Sequence, residues 1–287
     1  MRLAILADVH GNLPALEAVL KDIRQHAVDS IIVAGDLTTG PHQIEVINLL
    51  RSLGAQMIRG NGENNLVQYD IGHAPDFWRT SRQWALHRWT YRHFDRVTLD
   101  FIATLPEQLV IAWPDTAAIR VVHGSPRSAT EGIDPNDAPE ALRLALTQIA
   151  EPVLVCAHTH VPWKQEQNGR LAINPGAVCG PLNGEVGAQY ALLTWQDDRW
   201  HVDHRAVSYD LKRIRTAFHT SGLLAEGGAL ARYYLLSIET GQNAPKGFLA
   251  YAYQLAAEAG FKDCAFVPND IWDKAEATWH WSEEKNT

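Results

Sequence analysis

Ala7-Asp8-Val9-His10-Gly11-Asn12 closes and follows a short apolar run, Arg2-Leu3-Ala4-Ile5-Leu6-Ala7. A brief, nearly all-apolar run ended by a Gly/Asn turn reads as a buried strand. Asn12 is a good helix N-cap, Pro14 suits the first turn, and Leu13, Leu16, Val19, Leu20 and Ile23 recur at helical spacing. Asp8 and His10 therefore fall on a strand-to-helix loop, where open α/β sheets build their sites. Asp-x-His alone is a weak signal. Its weight comes from what recurs downstream.

A second buried run, Ser30-Ile31-Ile32-Val33-Ala34, ends in Gly35-Asp36. An amphipathic helix is expected from near Pro41, with Ile44, Ile47, Leu50 and Leu53 inward and Gly54 as its stop. A third run, 55–59, ends in Gly60-Asn61-Gly62-Glu63-Asn64. This β-α-β-α-β rhythm predicts an α/β fold with parallel strands and helices on the sheet faces. Runs over 108–111 and 117–122 follow, the latter ending in His123-Gly124-Ser125-Pro126-Arg127. A helix capped by Asp137 and Pro139 is expected to reach about Ala150, and the run 153–157 delivers His158-Thr159-His160. Segments 171–173, 189–194 and 200–204 read as a strand meander.

Residues 65–105 break the rhythm with Trp78, Trp84, Trp89, Tyr91, Phe94 and Phe101, together with His73, His87 and His93. They read as a helical insertion whose aromatics form a satellite core; the sharper alternative is that it also walls the substrate pocket, with rings to stack a base or an aromatic leaving group. From about Asp210 the pattern is helical (211–218, 228–238, 248–259), followed by a Trp-rich tail without a metal-type cluster. The expected organisation is one domain over 1–209, including the insertion, with a helical extension over 210–287 packed on it.

The chain's 287 residues, 46% of them hydrophobic, suffice for a substantial core. Cys156, Cys179 and Cys264 are odd in number and outside any CxxC pattern, so a reducing, cytoplasmic setting is expected rather than a disulfide framework. Met1 leads straight into the first strand without a basic leader, and no apolar run approaches the roughly 20 residues of a membrane span. A net charge of −8 without a basic block argues against a general nucleic-acid binder. A small anionic substrate stays open, because bound cations reverse the local field. A homo-oligomer also stays open.

Asp8, His10, Asp36, Asn61, His123, His158 and His160 each lie at or just after the end of an apolar run. Singly, each has a structural explanation as a cap, a turn residue or a hydrogen-bonded histidine. Jointly, five strand ends would have had to acquire such residues independently. Mixed imidazole, carboxylate and amide donors suit Mn²⁺, Fe, Zn²⁺ or Ni²⁺ better than Mg²⁺. Seven ligands without cysteine are too many for one structural zinc. Two ions sharing a carboxylate account for the number. Such a pair, about 3.5–4 Å apart, activates water and neutralises both oxygens of an in-line displacement at phosphorus.

Asp8-Val9-His10, Gly35-Asp36, Gly60-Asn61-Gly62-Glu63, His123-Gly124 and Ala157-His158-Thr159-His160, in this order across residues 1–177, resemble the calcineurin-like metallophosphoesterase superfamily. Asp8-Val9-His10-Gly11-Asn12-Leu13 and Asn174-Pro175-Gly176-Ala177-Val178 are similar to its compact bacterial and archaeal phosphodiesterase-like branch. The resemblance implies a four-layer α-β-β-α sandwich with metals at the strand ends. It implies that Asp8, His10, Asp36 and His160 hold one ion and Asp36, Asn61, His123 and His158 the other, with a metal-bridging hydroxide as nucleophile. His10, Asp36 and Asn61 would then be catalytic, Mn²⁺ the foremost metal, and the substrate a small phosphodiester or a nucleotide-type pyrophosphate. The alternatives are a phosphomonoesterase, a nuclease, and a catalytically silent scaffold or binding module on the same fold. The complete ligand set speaks against silence, and the acidic balance against a nuclease.

One departure bears on the chemistry. In the protein phosphatases of this superfamily the residue after the motif's Asn is a His that contacts the phosphate and helps protonate the leaving group; here it is Gly62. Either an acid comes from elsewhere, from His10 or a histidine of 73–93, or the leaving group needs little protonation. Three further side chains are candidates for smaller roles. Asn12, besides capping, could contact a phosphate oxygen. Arg127 could contact an anionic substrate, and Glu63 could orient a metal-bound histidine.

Overall fold

Alternate residues of the first strand, β1 (Arg2–Leu6), face opposite ways, as the period of a strand requires. Leu3 and Ile5 enter one buried cluster with Ile32, Val121, Val155, Ile173, Ala191 and Leu193, all strand residues. Ala4 and Leu6 enter another with Leu16, Val19, Leu20, Val46, Ile47 and Leu50 of the first two helices. One face of the strand thus meets a second sheet and the other meets helices.

The computed structural model describes residues 1–262 and 264–280. After β1 come α1 (Leu13–Ile23), β2 (Ser30–Val33), α2 (Gln43–Ser52), β3 (Gln56–Met57), α3 (Asn61–Asp70), the short α4 (Phe77–Thr80), α5 (Ala85–Arg92) and α6 (Arg96–Thr104). The second half runs β4 (Gln108–Ile111), β5 (Ile119–Val122), α7 (Pro139–Thr147), β6 (Val153–Val155), β7 (Trp163–Gln167), β8 (Arg170–Asn174), β9 (Ala188–Gln196) and β10 (Arg199–Val207). The chain then turns helical: α8 (Leu211–Thr220), α9 (Leu223–Glu226), α10 (Gly228–Thr240), α11 (Ala244–Glu258) and α12 (Asn269–Thr278).

The strands form two five-stranded sheets, ordered β10-β9-β1-β2-β3 and β4-β5-β6-β8-β7. β1, β2 and β3 are parallel, as their rhythm predicts, with Leu3 opposite Ser30 and Leu6 opposite Val33. On the outer face of the second sheet, Val122, Leu154 and Ala172 pack on Leu142, Ala145 and Leu146 of α7. The layers are therefore α-β-β-α. Among the described residues no helix is long and apolar enough to cross a membrane.

The structure corrects four local expectations. The three late runs are not one meander: β8 pairs with β6 in the second sheet, while β9 and β10 form a hairpin in the first. The polar β7 was not anticipated, because an edge strand reading Trp-Lys-Gln-Glu-Gln carries little apolar alternation. α2 buries Gln43, Val46, Ile47 and Leu50, whereas Leu53 is exposed and Ile44 only half-buried. Its face is turned because the Gln43 amide donates to the Thr90 carbonyl at 2.9 Å. The helix expected to be capped by Asp137 has Ala138 as its N-cap, where a turn places the Ala138 N–H on the Asp134 carbonyl.

The aromatics of the insertion divide between two places: Tyr91, Phe94 and Phe101 pack on the main core of the first two helices, while the tryptophans and Phe77 pack on one another and on the segments after Asp210. Trp89 is buried with Phe218, Leu223 and Leu235, Trp78 stacks on Trp84 at 3.8 Å, and Phe77 stacks on Phe266 at 4.7 Å. A further cluster centres on Phe248 and Trp272, edge-to-face at 5.0 Å. The insertion is thus a satellite core in its earlier part, its later aromatics having joined the main core.

Candidate metal centre

The loops leaving β1 and β2 stay paired past the ends of the strands. Asp8 N–H donates to Gly35 O (3.0 Å), His10 N–H to Asp36 O (3.0 Å) and Gly11 N–H to Leu37 O (2.9 Å). Asp8, His10, Asp36, His158 and His160 all have left-handed backbones, with φ of 52°, 43°, 52°, 68° and 59°. Such conformations cost roughly 1–3 kcal/mol each and gather at functional sites. Here they turn five of the seven candidate ligands toward one point. Two glycines permit the approach: a Cβ at Gly40 would overlap the His10 carbonyl, and one at Gly60 would overlap the Asp36 carboxylate.

Glu63 holds these loops in place. Its buried carboxylate accepts from the backbone N–H groups of Asp36 (2.9 Å), Leu37 (2.9 Å), Thr38 (3.0 Å) and Gly60 (2.8 Å) and from the Thr38 hydroxyl (2.8 Å). This corrects the expectation that Glu63 orients a histidine: it organises the peptide backbone around Asp36. Gly62 contributes its N–H to Asp36 Oδ1 at 2.8 Å, and a Cβ there would stand only 3.2 Å from that oxygen.

The imidazoles are oriented from behind. Nδ1 of His10 donates to Thr38 O (3.1 Å), that of His123 to Ala34 O (2.8 Å) and that of His160 to Gly180 O (2.9 Å). A carbonyl only accepts, so Nδ1 carries a hydrogen in each ring and Nε2 is left to face inward. There Nε2 of His10 and Nε2 of His160 stand 3.3 Å apart, and His123 Nε2 is 3.1 Å from Asn61 Oδ1. Asp8 Oδ1 lies 3.4 Å from His160 Nε2, and both Asp8 oxygens are buried without a hydrogen-bond donor. The Asp36 oxygens point two ways, Oδ2 toward His10 Nε2 (3.7 Å) and Oδ1 toward His123 Nε2 (3.5 Å).

Converging lone pairs repel unless positive charge lies among them. Without metal, protons supply it. Burial alone would lower His160, but the Asp8 carboxylate raises it to about 9. Burial would raise Asp8, yet His160, His123 and His10 hold it well below the usual carboxylate range. Burial lowers His10 despite Asp36 nearby, while Asp36 and Asp8 outweigh burial at His123 and raise it. Divalent cations fit the same donors. Asp8, His10 and His160 form one group of converging atoms and Asp8, Asp36 and His123 another.

All seven expected ligands are brought to this place; the His158 ring stands edge-on to His123 at 5.2 Å. Above them opens a cavity of about 250 Å³, floored by His10, Asp36, Asn61, His158 and His160. Asn12 and Arg127 do not line it. Asn12 is fully buried, capping α1 through Ala15 N–H and donating to the Tyr209 hydroxyl (3.0 Å) and Cys179 Sγ (3.4 Å). Arg127 is paired with Glu131 and reaches Gln148. His73, His87 and His93 do not line it either; burial takes His87 down to about 4, and it bonds to Asn65. The far wall is Leu182, Tyr234, Ser237, Asn243 and Pro245. Sequence reasoning missed these five, since wall residues late in the chain carry no motif.

A sandwich of two mixed sheets with this cluster at its strand ends defines a hydrolase acting on phosphoesters, of a kind that uses divalent metal ions. The chain belongs to the calcineurin-like phosphoesterase superfamily, whose domain matches residues 1–198. It is 26% identical over 204 residues to phosphodiesterase YfcE of Escherichia coli, covering 67% of this chain and 87% of that protein. It is 24% identical over 231 residues to an uncharacterized protein of Methanocaldococcus jannaschii, covering 74% and 89% respectively. A metallophosphoesterase crystal structure from Sphaerobacter thermophilus is 27% identical, with a TM-score of 0.67 over 84% of this chain and 99% of that one.

Proposed function

We propose that this chain is a cytoplasmic phosphodiesterase using two divalent transition-metal ions, Mn²⁺ foremost, and cleaving small phosphodiesters or nucleotide-type pyrophosphates. The observation that carries the reading is the convergence of imidazole Nε2 atoms on the buried Asp8 carboxylate, whose nearest donor candidate, His160 Nε2, stands off at 3.4 Å. Asp8, His10, Asp36 and His160 would hold one ion, and Asp36, Asn61, His123 and His158 the other. Asp36 fits the shared position because its two oxygens face the two histidine sets. When bound, the ions supply water activation and neutralise charge at phosphorus.

The chain's residues do the rest by orientation. Carbonyls behind His10, His123 and His160 fix which nitrogen faces the cavity, and Glu63 with Gly62 N–H fixes Asp36. Among the described residues no Arg or Lys lines the cavity, so none of them offers a bound phosphate a cation there. In the reaction, a water oxygen adds to phosphorus as the P–O bond to the leaving group breaks, giving a phosphomonoester and an alcohol or phenol. Gly62 offers no acid, His10 is committed to an ion in this reading, and the histidines of the insertion lie elsewhere, so leaving groups that part as stable anions are favoured. Aryl esters have this property. Three free thiols accord with the cytoplasmic setting.

The test compares bis(p-nitrophenyl) phosphate with p-nitrophenyl phosphate in Mn²⁺. Faster turnover of the diester, reduced at least about a hundredfold by Asp36→Asn or His158→Ala, is expected. Preference for the monoester would make the protein a phosphomonoesterase. Loss-free variants would remove these residues from the mechanism.

A further inference from the structure

The helical region after Asp210 does more than cover the sandwich: it supplies most of the cavity's far wall. Tyr234 and Ser237 come from α10, and Asn243 and Pro245 from the start of α11, while Leu182 stands on the loop before β9. The wall is anchored on both sides. The Tyr234 ring stands edge-on to the His10 ring at 5.3 Å, and its hydroxyl reaches buried Cys179 Sγ at 3.7 Å. Behind it, α10 is packed through Ala231, Leu235 and Ile238 on Phe218 and Trp89. α11 is packed through Phe248, Ala252 and Ala256 on Trp272.

The chemistry of this wall is restrictive. An α-helix start usually offers free N–H groups to an anion, but the first turn of α11 offers none. Ala244 N–H is taken by Ser237 Oγ (3.2 Å) and Gln242 O (3.0 Å), Lys246 N–H by Asn243 Oδ1 (3.1 Å) and Gly247 N–H by Asn243 O (3.4 Å), while Pro245 has no N–H. Leu182, Tyr234 and Pro245 line the cavity, whose surface is mostly apolar, and among the described residues no Arg or Lys lines it. The cavity is also small. Its volume of about 250 Å³ has to admit the reacting phosphate and its metals, and it falls below the roughly 300–1,000 Å³ typical of sites for drug-sized ligands.

We infer that the α10–α11 wall makes this site selective for phosphodiesters carrying a compact, uncharged organic group, and rejects polyphosphate chains. Further phosphates on the leaving side would meet carbon and a helix start whose N–H groups are taken, with the neutral Asn243 side-chain amide as the available donor, and would lose more hydration than that one amide replaces. A small alkyl or aryl group would bury apolar surface against Leu182, Tyr234 and Pro245 instead. This inference rests on the phosphodiesterase reading and narrows it away from nucleotide-type pyrophosphates.

The test measures kcat and KM in Mn²⁺ for bis(p-nitrophenyl) phosphate and for diadenosine tetraphosphate, with metal content and thermal midpoint recorded for every variant. At least a hundredfold preference in kcat/KM is expected for the diester, a monoanion whose organic groups are uncharged. Pro245→Arg, and separately Leu182→Arg, should narrow that preference at least tenfold, mainly through a lower KM for the polyphosphate, with metal content as in the parent. Two positions on different segments guard against one variant failing to fold. Equal or better use of the polyphosphate by the parent protein would overturn the inference while leaving the phosphoesterase reading intact. So would an unchanged preference in both folded variants. No turnover of either compound would bring down both.

Discussion

Asp8 and His160 face each other at 3.4 Å, the carboxylate held down and the imidazole raised, so an ion taken up on the proposed ligands would be bound in a pH-dependent way. His160 has its folded-state value raised from 6.5 to about 9. Its proton therefore stabilises the metal-free chain fully below about pH 6.5, and that contribution is lost as pH rises through about 9. A metal ion needs the same lone pair, so binding should release protons, and apparent affinity should climb between these pH values. Calorimetry of Mn²⁺ binding in buffers of different ionisation enthalpy checks this; an enthalpy independent of buffer would refute it. Glu63 gives a second prediction at this scale. Glu63→Ala leaves four buried N–H groups and a hydroxyl without their acceptor, and should cost about 3 kcal/mol or more in urea unfolding. A loss within about 0.5 kcal/mol would mean that the loops hold themselves. The seven candidate ligands were legible in the sequence because each breaks an apolar run with a metal-donor side chain. The task of Glu63 was not, because its partners are backbone groups from two loops that meet only after folding.

At the scale of elements, the site is a meeting of loops extending β1, β2 and β3 of one sheet with those after β5 and β6 of the other, which bring His123, His158 and His160. The tightest point is where Gly40 passes the His10 carbonyl. Gly40→Ala should push the two loops apart and weaken metal retention at least about tenfold, read by metal content after dialysis. Full retention would show that the loops can yield there. The strand-helix rhythm around β1 to β3 was legible because a parallel strand buried on both faces must be apolar throughout. The face of α2 was misjudged because a buried Gln43, held by a carbonyl of α5, outweighs apolar periodicity. The split of β8 from β9 and β10 was hidden for another reason: sheet membership depends on which edges are free after collapse, not on the strands' own composition.

For the whole molecule, two sheets put their inner faces together and carry the cluster at one end, while the late helices shut that end. The closure depends on the core around Trp272, which is fully buried against Phe248. Trp272→Ala should destabilise the protein by about 3–5 kcal/mol and raise KM for small diesters as the α10–α11 wall loosens. An unchanged KM in a folded variant would detach the wall from that core. The sandwich could be anticipated from the ordered motifs, but the wall could not, because Tyr234 and Pro245 look like ordinary helix residues until α10 and α11 are set against His10. The most direct test of the metal-dependent reading is to strip the protein with chelator and add Mn²⁺ stepwise while following bis(p-nitrophenyl) phosphate hydrolysis. Turnover should be negligible at the start and rise to a plateau at about two ions per chain. Hydrolysis that ignores the metal, or none at any Mn²⁺ concentration, would contradict the account.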